Sequence, residues 1–167
     1  LCGPKIRTGL LSKGPVELRE GEKITITTED IKGDGKLIST TYKELPKDVK
    51  PGDRILIDDG LMEVKVIAVS GNNVDCEVVY GGILKESKGM NLPGVNVSAP
   101  SLSKKDMFDL DFGISQGVDY IALSFVRKAA DVVELKDYLK KNGAEIPVIA
   151  KIEKPEALDN LEAILEE

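Results

Sequence analysis

Residues 148–157 read VIAKIEKPEA, an apolar run that passes into alternating charges and then meets a proline. A short apolar run of this kind is typical of a buried strand, and Pro155 suits the first turn of a helix. In an extended chain, residues two apart point to the same side, so Lys151 and Glu153 are predicted to share one face. We therefore expect a strand over 147–152 with an ammonium beside a carboxylate at its carboxyl end, followed by a helix over 156–165.

Helices and strands alternate in the same way back to residue 100. Ser103 is expected to cap a helix over 104–116. A buried strand over 120–124 and a helix over 129–141 follow. This alternation predicts a parallel sheet with right-handed crossovers. Two strands with three helices close neither a sheet nor a barrel, so the chain is expected to be a fragment of a larger domain.

Before residue 100 the hydrophobic pattern has a period of two. Ile24 and Ile26 share one face of a predicted strand, and alternating apolar residues continue through 60–69 and 74–80. The intervening turns are rich in residues that tolerate positive φ: Gly33-Asp34-Gly35, Asp59-Gly60 and Gly71-Asn72-Asn73. These features predict antiparallel strands that close into a small barrel or sandwich, with a three-strand meander over 53–80.

The composition excludes several classes of function. A net charge of −6 disfavours nucleic-acid binding, which needs clustered Lys and Arg. The sequence contains no His, which excludes imidazole-dependent triads and metal sites. Cys2 and Cys76 are too few for a disulfide framework or a zinc cluster, and we interpret them as reduced thiols of a cytoplasmic protein, with Cys76 in the core. Apolar runs such as 120–126 are far shorter than the roughly 20 residues of a membrane helix.

Three segments contain cationic residues that could bind a ligand. Ligands of parallel α/β folds bind at the carboxyl ends of strands, where Lys151 and Glu153 could hold a phosphate and its metal ion. A strand that surfaces, with its last residues solvated or paired to each other, explains the same pattern. Arg7 and Lys88 lie in Gly-flanked segments. Each segment taken alone is more simply explained as a solvated loop. Together, the three segments suit a polyphosphate ligand.

Several long blocks carry a resemblance to a known family. They are GPKIRTG at 3–9, LIDDGLMEVKV at 56–66, KGMNLPG at 88–94, LSKKDMFDLDFGISQGVDYIALSFVRKAADV at 102–132 and VIAKIEKPEALDN at 148–160. In this order, and across essentially the whole chain, they resemble pyruvate kinase. In that family a catalytic (β/α)8 TIM barrel is interrupted after its third strand by a mobile β-barrel lid.

The resemblance implies the fold class and the domains. The fold is expected to be all-β plus α/β: a small antiparallel β-barrel lid domain at 5–99, then a partial TIM barrel at 100–167. The second part would contain barrel strands four and five with their helices. Residues 1–4 resemble the end of a barrel strand and a hinge, and Pro4 and Pro100 would lie near the two lid hinges.

The resemblance also implies a reaction, in which a phosphoryl group passes from phosphoenolpyruvate to ADP to give pyruvate and ATP. Lys151 resembles the catalytic lysine that contacts the phosphoryl group and stabilises the enolate oxygen. Glu153 resembles a ligand of the catalytic Mg²⁺ or Mn²⁺. Arg7 and Lys88 resemble lid residues that contact the nucleotide phosphates, and the Leu1 backbone carbonyl falls where the family binds K⁺. The whole protein would be a cytoplasmic glycolytic homotetramer.

Some positions depart from the family or remain ambiguous. Cys2 stands where Gln or Lys is usual, and Lys154 where Asn is usual. The chain also begins one residue after a family Asp that helps to bind K⁺. Asp59 resembles a residue near the lid face of the cleft, but an Asp-Gly hairpin turn is the simpler interpretation. Ser124, Phe125 and Arg127 end the preceding strand, where packing and loop anchoring are the favoured roles.

Parts of the family's site have no counterpart in the sequence: an upstream Arg/Asn/Ser motif, a downstream metal-binding Asp and a substrate-contacting Thr. The chain alone is therefore expected to lack activity, and its cut barrel edges are expected to make it self-associate or to leave 102–167 poorly ordered. One alternative is a non-catalytic lid module that binds nucleotide phosphates. Another is a different barrel enzyme that acts on phosphoenolpyruvate.

Overall fold

A computed structural model describes residues 1–3 and 5–167, so the hinge expected at Pro4 lies outside the described residues. The chain divides into two compact units. One unit is Lys5–Ser98, and the other combines residues 1–3 with Ala99–Glu167. Within the described residues, no helix is both long enough and apolar enough to cross a bilayer.

The unit at Lys5–Ser98 consists mainly of strands. The elements are β1 Val16–Leu18, β2 Lys23–Thr27, β3 Leu37–Ser39, α1 Leu45–Asp48, β4 Arg54–Ile57, β5 Met62–Ser70, β6 Asn73–Tyr80, β7 Gly82–Leu84 and β8 Met90–Asn91. Six strands form a sheet of order β3-β2-β6-β5-β4-β8, and β1 and β7 form a separate pair. The predicted meander is confirmed, because β4, β5 and β6 pair antiparallel in succession.

The expectation of purely antiparallel strands is wrong at one place, where β3 runs parallel to β2. The connection between them is not a hairpin. It crosses back through Gly33, whose backbone lies so close to β3 that a Cβ atom there would stand 2.6 Å from the Leu37 carbonyl oxygen. Only glycine fits such an approach. The parallel pairing of β2 and β3 therefore depends on Gly33, which the sequence pattern predicted only to lie in a turn.

The predicted alternation of apolar residues does form the core of this unit. Ile24 and Ile26 on β2 are buried, as are Val74 and Cys76 on β6. β-branched side chains pack well on such a pleated face, which explains a core with few aromatics. Cys76 is fully buried, which confirms it as a core residue, and this burial raises the pKa of its thiol to about 12.

The second unit contains two parallel strands, with Ile121 opposite Val148 and Leu123 opposite Ala150. The predicted parallel pairing is confirmed. A core of aliphatic side chains from the helices surrounds the strands and includes Leu110 and Leu135. The elements are α2 Lys104–Ser115, β9 Ile121–Leu123, α3 Ala129–Lys141, β10 Val148–Ala150, α4 Pro155–Asp159 and α5 Leu161–Leu165.

Two expectations in this unit are corrected. The strand expected over 147–152 ends at Ala150. The single helix expected over 156–165 is two short helices that meet at Asn160. The Asn160 side-chain amide donates to the Glu156 carbonyl at 2.8 Å and to the Arg127 carbonyl at 3.1 Å. The Glu156 carbonyl is one that a continuous helix would bond internally, and the bond to Arg127 ties Asn160 to another segment, so the helix breaks there.

Two buried carboxylates fix the starts of the longer helices. Ser103 caps α2, and its partner in the capping box is Asp106, which also accepts from the Cys2 amide at 2.9 Å. Burial opposes ionisation of Asp106, but hydrogen bonds from Ser103, Cys2 and Gly3 outweigh it, and the pKa of Asp106 lies below its ordinary value. At α3, Asp131 accepts from the Ser101 hydroxyl at 2.5 Å. Each carboxylate thus ties an incoming chain segment to a helix.

Candidate active site

The two parallel strands of the second unit end level with each other. Leu123 is opposite Ala150, and the Lys151 amide donates to the Leu123 carbonyl at 3.0 Å. Ser124 and Lys151, the first residues beyond each strand, therefore lie side by side at the carboxyl edge. This is the edge where parallel α/β folds place their ligands.

Leu1 extends the pairing on the other side of β9. Its amino group donates to the Ala122 carbonyl at 2.6 Å, and its carbonyl accepts from the Ser124 amide at 3.1 Å. That alternation is the hydrogen-bond pattern of a parallel strand. The Leu1 carbonyl therefore lies at the same edge, with one lone pair already in use. Its role as a ligand of K⁺ stays a prediction.

Lys151 and Glu153 form an ion pair, with Lys151 Nζ 2.7 Å from Glu153 Oε1. Both side chains are partly exposed, at 44% and 33%. Lys151 Nζ also donates to the Ser124 hydroxyl at 3.2 Å. The two side chains lie together, as the sequence predicted. Both residues lie beyond the end of the strand, however, so the conformation of the loop brings them together and not the periodicity of a strand.

The second oxygen of Glu153 is held by a backbone group. The Phe125 amide donates to Glu153 Oε2 at 3.2 Å. Phe125 has φ of 57°, a left-handed conformation that is a genuine outlier for a bulky residue and is often found at functional sites. The hydrogen bond from Lys151 lowers the pKa of Glu153, and the Phe125 amide adds to this effect. The carboxylate is thus fixed and charged.

The sequence singled out Ser124, Phe125 and Arg127 for packing and anchoring, and the outcome is mixed. Arg127 does anchor a loop, because its guanidinium donates to the Ala99 carbonyl at 3.0 Å. Ser124 and Phe125 instead contact the candidate site residues directly. No side-chain pattern could have indicated the role of Phe125, since it acts through its amide.

Lys154 lies on the other side of Phe125. Its Nζ is 5.3 Å from the centroid of the Phe125 ring, within cation–π range. Burial lowers the pKa of Lys154; the carboxylate of Glu156 opposes this shift, and the charge of Arg127 adds to it.

The unit at Lys5–Ser98 brings the other two predicted cations together. Arg7 pairs with Gly89 in an isolated antiparallel bridge, and the Thr8 amide donates to the Lys88 carbonyl at 2.8 Å. The Arg7 guanidinium donates to the Ser87 carbonyl at 3.3 Å. Arg7 and Lys88 therefore lie on adjacent segments of this unit.

Lys88 has an acidic partner in this unit. Its Nζ lies 2.9 Å from Asp58 Oδ1, and both side chains are partly buried. Asp58 and Asp59 have φ of 55° and 56°, followed by Gly60 at 87°, so the predicted Asp-Gly turn is confirmed. Asp58 pairs with the cation, whereas Asp59 belongs to the turn.

The donor set at the carboxyl edge is small for a metal ion. Glu153 contributes one carboxylate, and both of its oxygens already accept hydrogen bonds. Across residues 1–3 and 5–167, no cluster of three or more Cys, Asp or Glu side chains could hold a metal ion. Mg²⁺ usually binds through one or two carboxylates plus water and substrate oxygens. The described residues could therefore supply one ligand at this edge and do not form a metal centre by themselves.

Comparisons with known proteins agree on one family. The family model for the pyruvate kinase barrel domain matches residues 1–167. The pyruvate kinases of Corynebacterium glutamicum and Mycobacterium tuberculosis are each 50% identical to the chain over 165 residues, or 99% of its length. A crystal structure of a pyruvate kinase from Cryptosporidium parvum matches 99% of the chain with a TM-score of 0.90 and 38% identity.

The matched region is a minor part of each relative. The chain covers 35% of the two bacterial proteins and 35% of the Cryptosporidium parvum chain. Within that region the likeness is continuous in both sequence and structure. The 167 residues therefore belong to the pyruvate kinase family.

Proposed function

We propose that these residues form part of an enzyme that transfers the phosphoryl group of phosphoenolpyruvate to ADP, giving pyruvate and ATP. The observation that carries this proposal is the Lys151 ammonium, held by Glu153 and Ser124 at the carboxyl edge of two parallel strands. Membership of the pyruvate kinase family supports the choice of substrates. The whole protein would be a cytoplasmic glycolytic homotetramer.

Lys151 would stabilise the charge that moves during the reaction. The bond between phosphorus and the enol oxygen of phosphoenolpyruvate breaks, and a terminal phosphate oxygen of ADP forms the new bond to phosphorus. The electron pair left on the enol oxygen makes an enolate, which the Lys151 ammonium faces until a proton reaches carbon. Such a reaction needs positioned charge more than a strong base, so a site without His is adequate.

Glu153 would keep the Lys151 ammonium in place before substrate binds. Its fixed carboxylate would also contribute one ligand to Mg²⁺ or Mn²⁺, which supplies electrostatic stabilisation of phosphate oxygens when bound. The Leu1 carbonyl would contribute one oxygen to a K⁺ site. The remaining ligands of both ions would come from substrate, water and other residues.

The unit at Lys5–Ser98 would act as the lid. We assign 5–99 to a β-barrel lid domain, 100–167 to barrel strands four and five with their helices, and 1–4 to the end of a barrel strand with a hinge. Arg7 and Lys88 would bind the nucleotide phosphates when the lid closes. Closure would exclude water, which matters because hydrolysis competes with transfer.

Removal of the Lys151 charge tests the catalytic assignment. In a full-length protein that carries this sequence, Lys151→Met should lower kcat by on the order of 10²–10³-fold, because a preorganised donor is lost from the transition state. Steady-state assays of ATP formation would measure this. Lys140→Met, at the exposed end of α3, is the matched control and should retain activity. A Lys151→Met enzyme within about tenfold of the parent would contradict the proposal.

A second candidate is a lid module that binds nucleotide phosphates without chemistry, favoured by the placement of Arg7 and Lys88 together in one unit. For the purified 167-residue chain we expect no ATP formation, while titration with Mg-ATP shifts the backbone amides of Arg7 and Lys88. Amide NMR and a transfer assay on the same sample measure both. Robust transfer by the chain would refute its inactivity, and unmoved amides would remove the binding function.

The chain alone is also expected to self-associate. Large apolar side chains are exposed in the second unit, including Phe108 at 76% and Phe112 at 64% on adjacent turns of α2. Light scattering should report dimers or larger species, and the double substitution Phe108→Glu with Phe112→Glu should reduce them. Leu61→Glu, at a residue 73% exposed in the other unit, is the control and should have no effect. A monodisperse monomer would contradict this expectation.

A further inference from the structure

Lys154 is a cation in a place that disfavours one. It is partly buried, and its pKa is lowered by that burial, with the Arg127 charge acting in the same direction. It also occupies the position before the first residue of α4, where a side-chain oxygen normally accepts from the helix amides. Lysine has no acceptor and cannot do this. The Glu156 carboxylate offsets part of the electrostatic cost, and contacts of the ammonium itself offset more.

The Phe125 ring supplies one such contact. Lys154 Nζ lies 5.3 Å from the ring centroid, and a partly desolvated ammonium gains more from an aromatic face than an exposed one. The ring belongs to the residue whose amide donates to Glu153. Whatever fixes the ring therefore also affects the direction of that amide.

The backbone of Phe125 needs such support. Its φ of 57° is unfavourable for a residue with a bulky side chain and persists only when the surroundings enforce it. Relaxation of Phe125 to an extended conformation would turn its amide away from Glu153 Oε2. The carboxylate would then be held by Lys151 alone and could rotate.

We propose that Lys154 is a positioning residue for the Lys151–Glu153 pair. Its ammonium holds the Phe125 ring, the ring holds the left-handed backbone, and the Phe125 amide fixes the second oxygen of Glu153. Lys154 thus acts through Phe125 and needs no contact with substrate. The importance of Lys154 for catalysis rests on the proposed function. The contacts from Lys154 to Phe125 and from Phe125 to Glu153 do not depend on it.

The test compares three variants of a full-length protein that carries this sequence, without metal or substrate. Lys154→Asn removes the cation but provides a good capping side chain, so the melting temperature should stay level or rise while the Phe125 amide loses its partner. Hydrogen exchange of that amide should accelerate by about three- to tenfold, the range expected for loss of a cation–π contact, and its proton resonance should move upfield. Lys154→Arg keeps a cation over the ring and should preserve both signals.

The matched control is Lys128→Asn. Lys128 precedes α3 as Lys154 precedes α4, so this variant introduces the same capping side chain at the other helix. It should leave the Phe125 amide unchanged. A purely structural role for Lys154 predicts instead a lower melting temperature and faster exchange throughout the second unit.

Three results would overturn the inference: an unchanged Phe125 amide in Lys154→Asn, failure of Lys154→Arg to preserve it, or loss of folding in Lys154→Asn. A separate assay in a full-length protein distinguishes this inference from the proposed function. There, Lys154→Asn should lower kcat about three- to tenfold with little change in KM for ADP. Absence of phosphoryl transfer in the unsubstituted full-length protein would remove the proposed function and leave the contacts of Phe125 intact.

Discussion

The register between β9 and β10 is the constraint on which the candidate site depends. Leu123 lies opposite Ala150, so both strands end at one level, and the residues that follow them become neighbours. A shift of one residue would turn every side chain to the other face of its strand. The Lys151 amide, which donates to the Leu123 carbonyl, belongs to the same ladder. The contact between Lys151 and Ser124 follows from this register.

Buried carboxylates hold the surroundings of that edge. Asp106 binds the Cys2 amide next to Leu1, and Asp131 binds the Arg127 amide at 2.8 Å, two residues beyond Phe125. Each of them is 2% exposed and would be costly to leave without partners. The segment at Cys2, which pairs with β9, and the segment at Arg127, which follows Ser124 in the chain, are therefore anchored by charge-assisted hydrogen bonds and not by apolar packing alone.

Long periodic segments were predictable from the sequence, and short irregular ones were not. The helix at Ala129–Lys141 and the meander of β4 to β6 follow from hydrophobic periodicity, which reports burial of one face. The break at Asn160 and the parallel β3 depend on a side-chain cap and a close backbone approach, which periodicity does not report. At the site, the proximity of Lys151 and Glu153 was predictable. The hydrogen bond from the Phe125 amide to Glu153 was not, because every residue except proline has a backbone amide and the residue type does not show which amide donates.

The central claim is that the Lys151 ammonium and the Glu153 carboxylate form a fixed pair at the strand ends. A ¹³C NMR titration of the Glu153 carboxyl in the metal-free chain tests it most directly. Because Lys151 donates to the ionised form, the pKa should lie below the ordinary 4.5, and the small stabilisation from the pair should be lost as pH falls through that pKa. In Lys151→Met the pKa should rise toward the ordinary value. An unshifted pKa in the parent chain, or one that Lys151→Met leaves unchanged, would contradict the account.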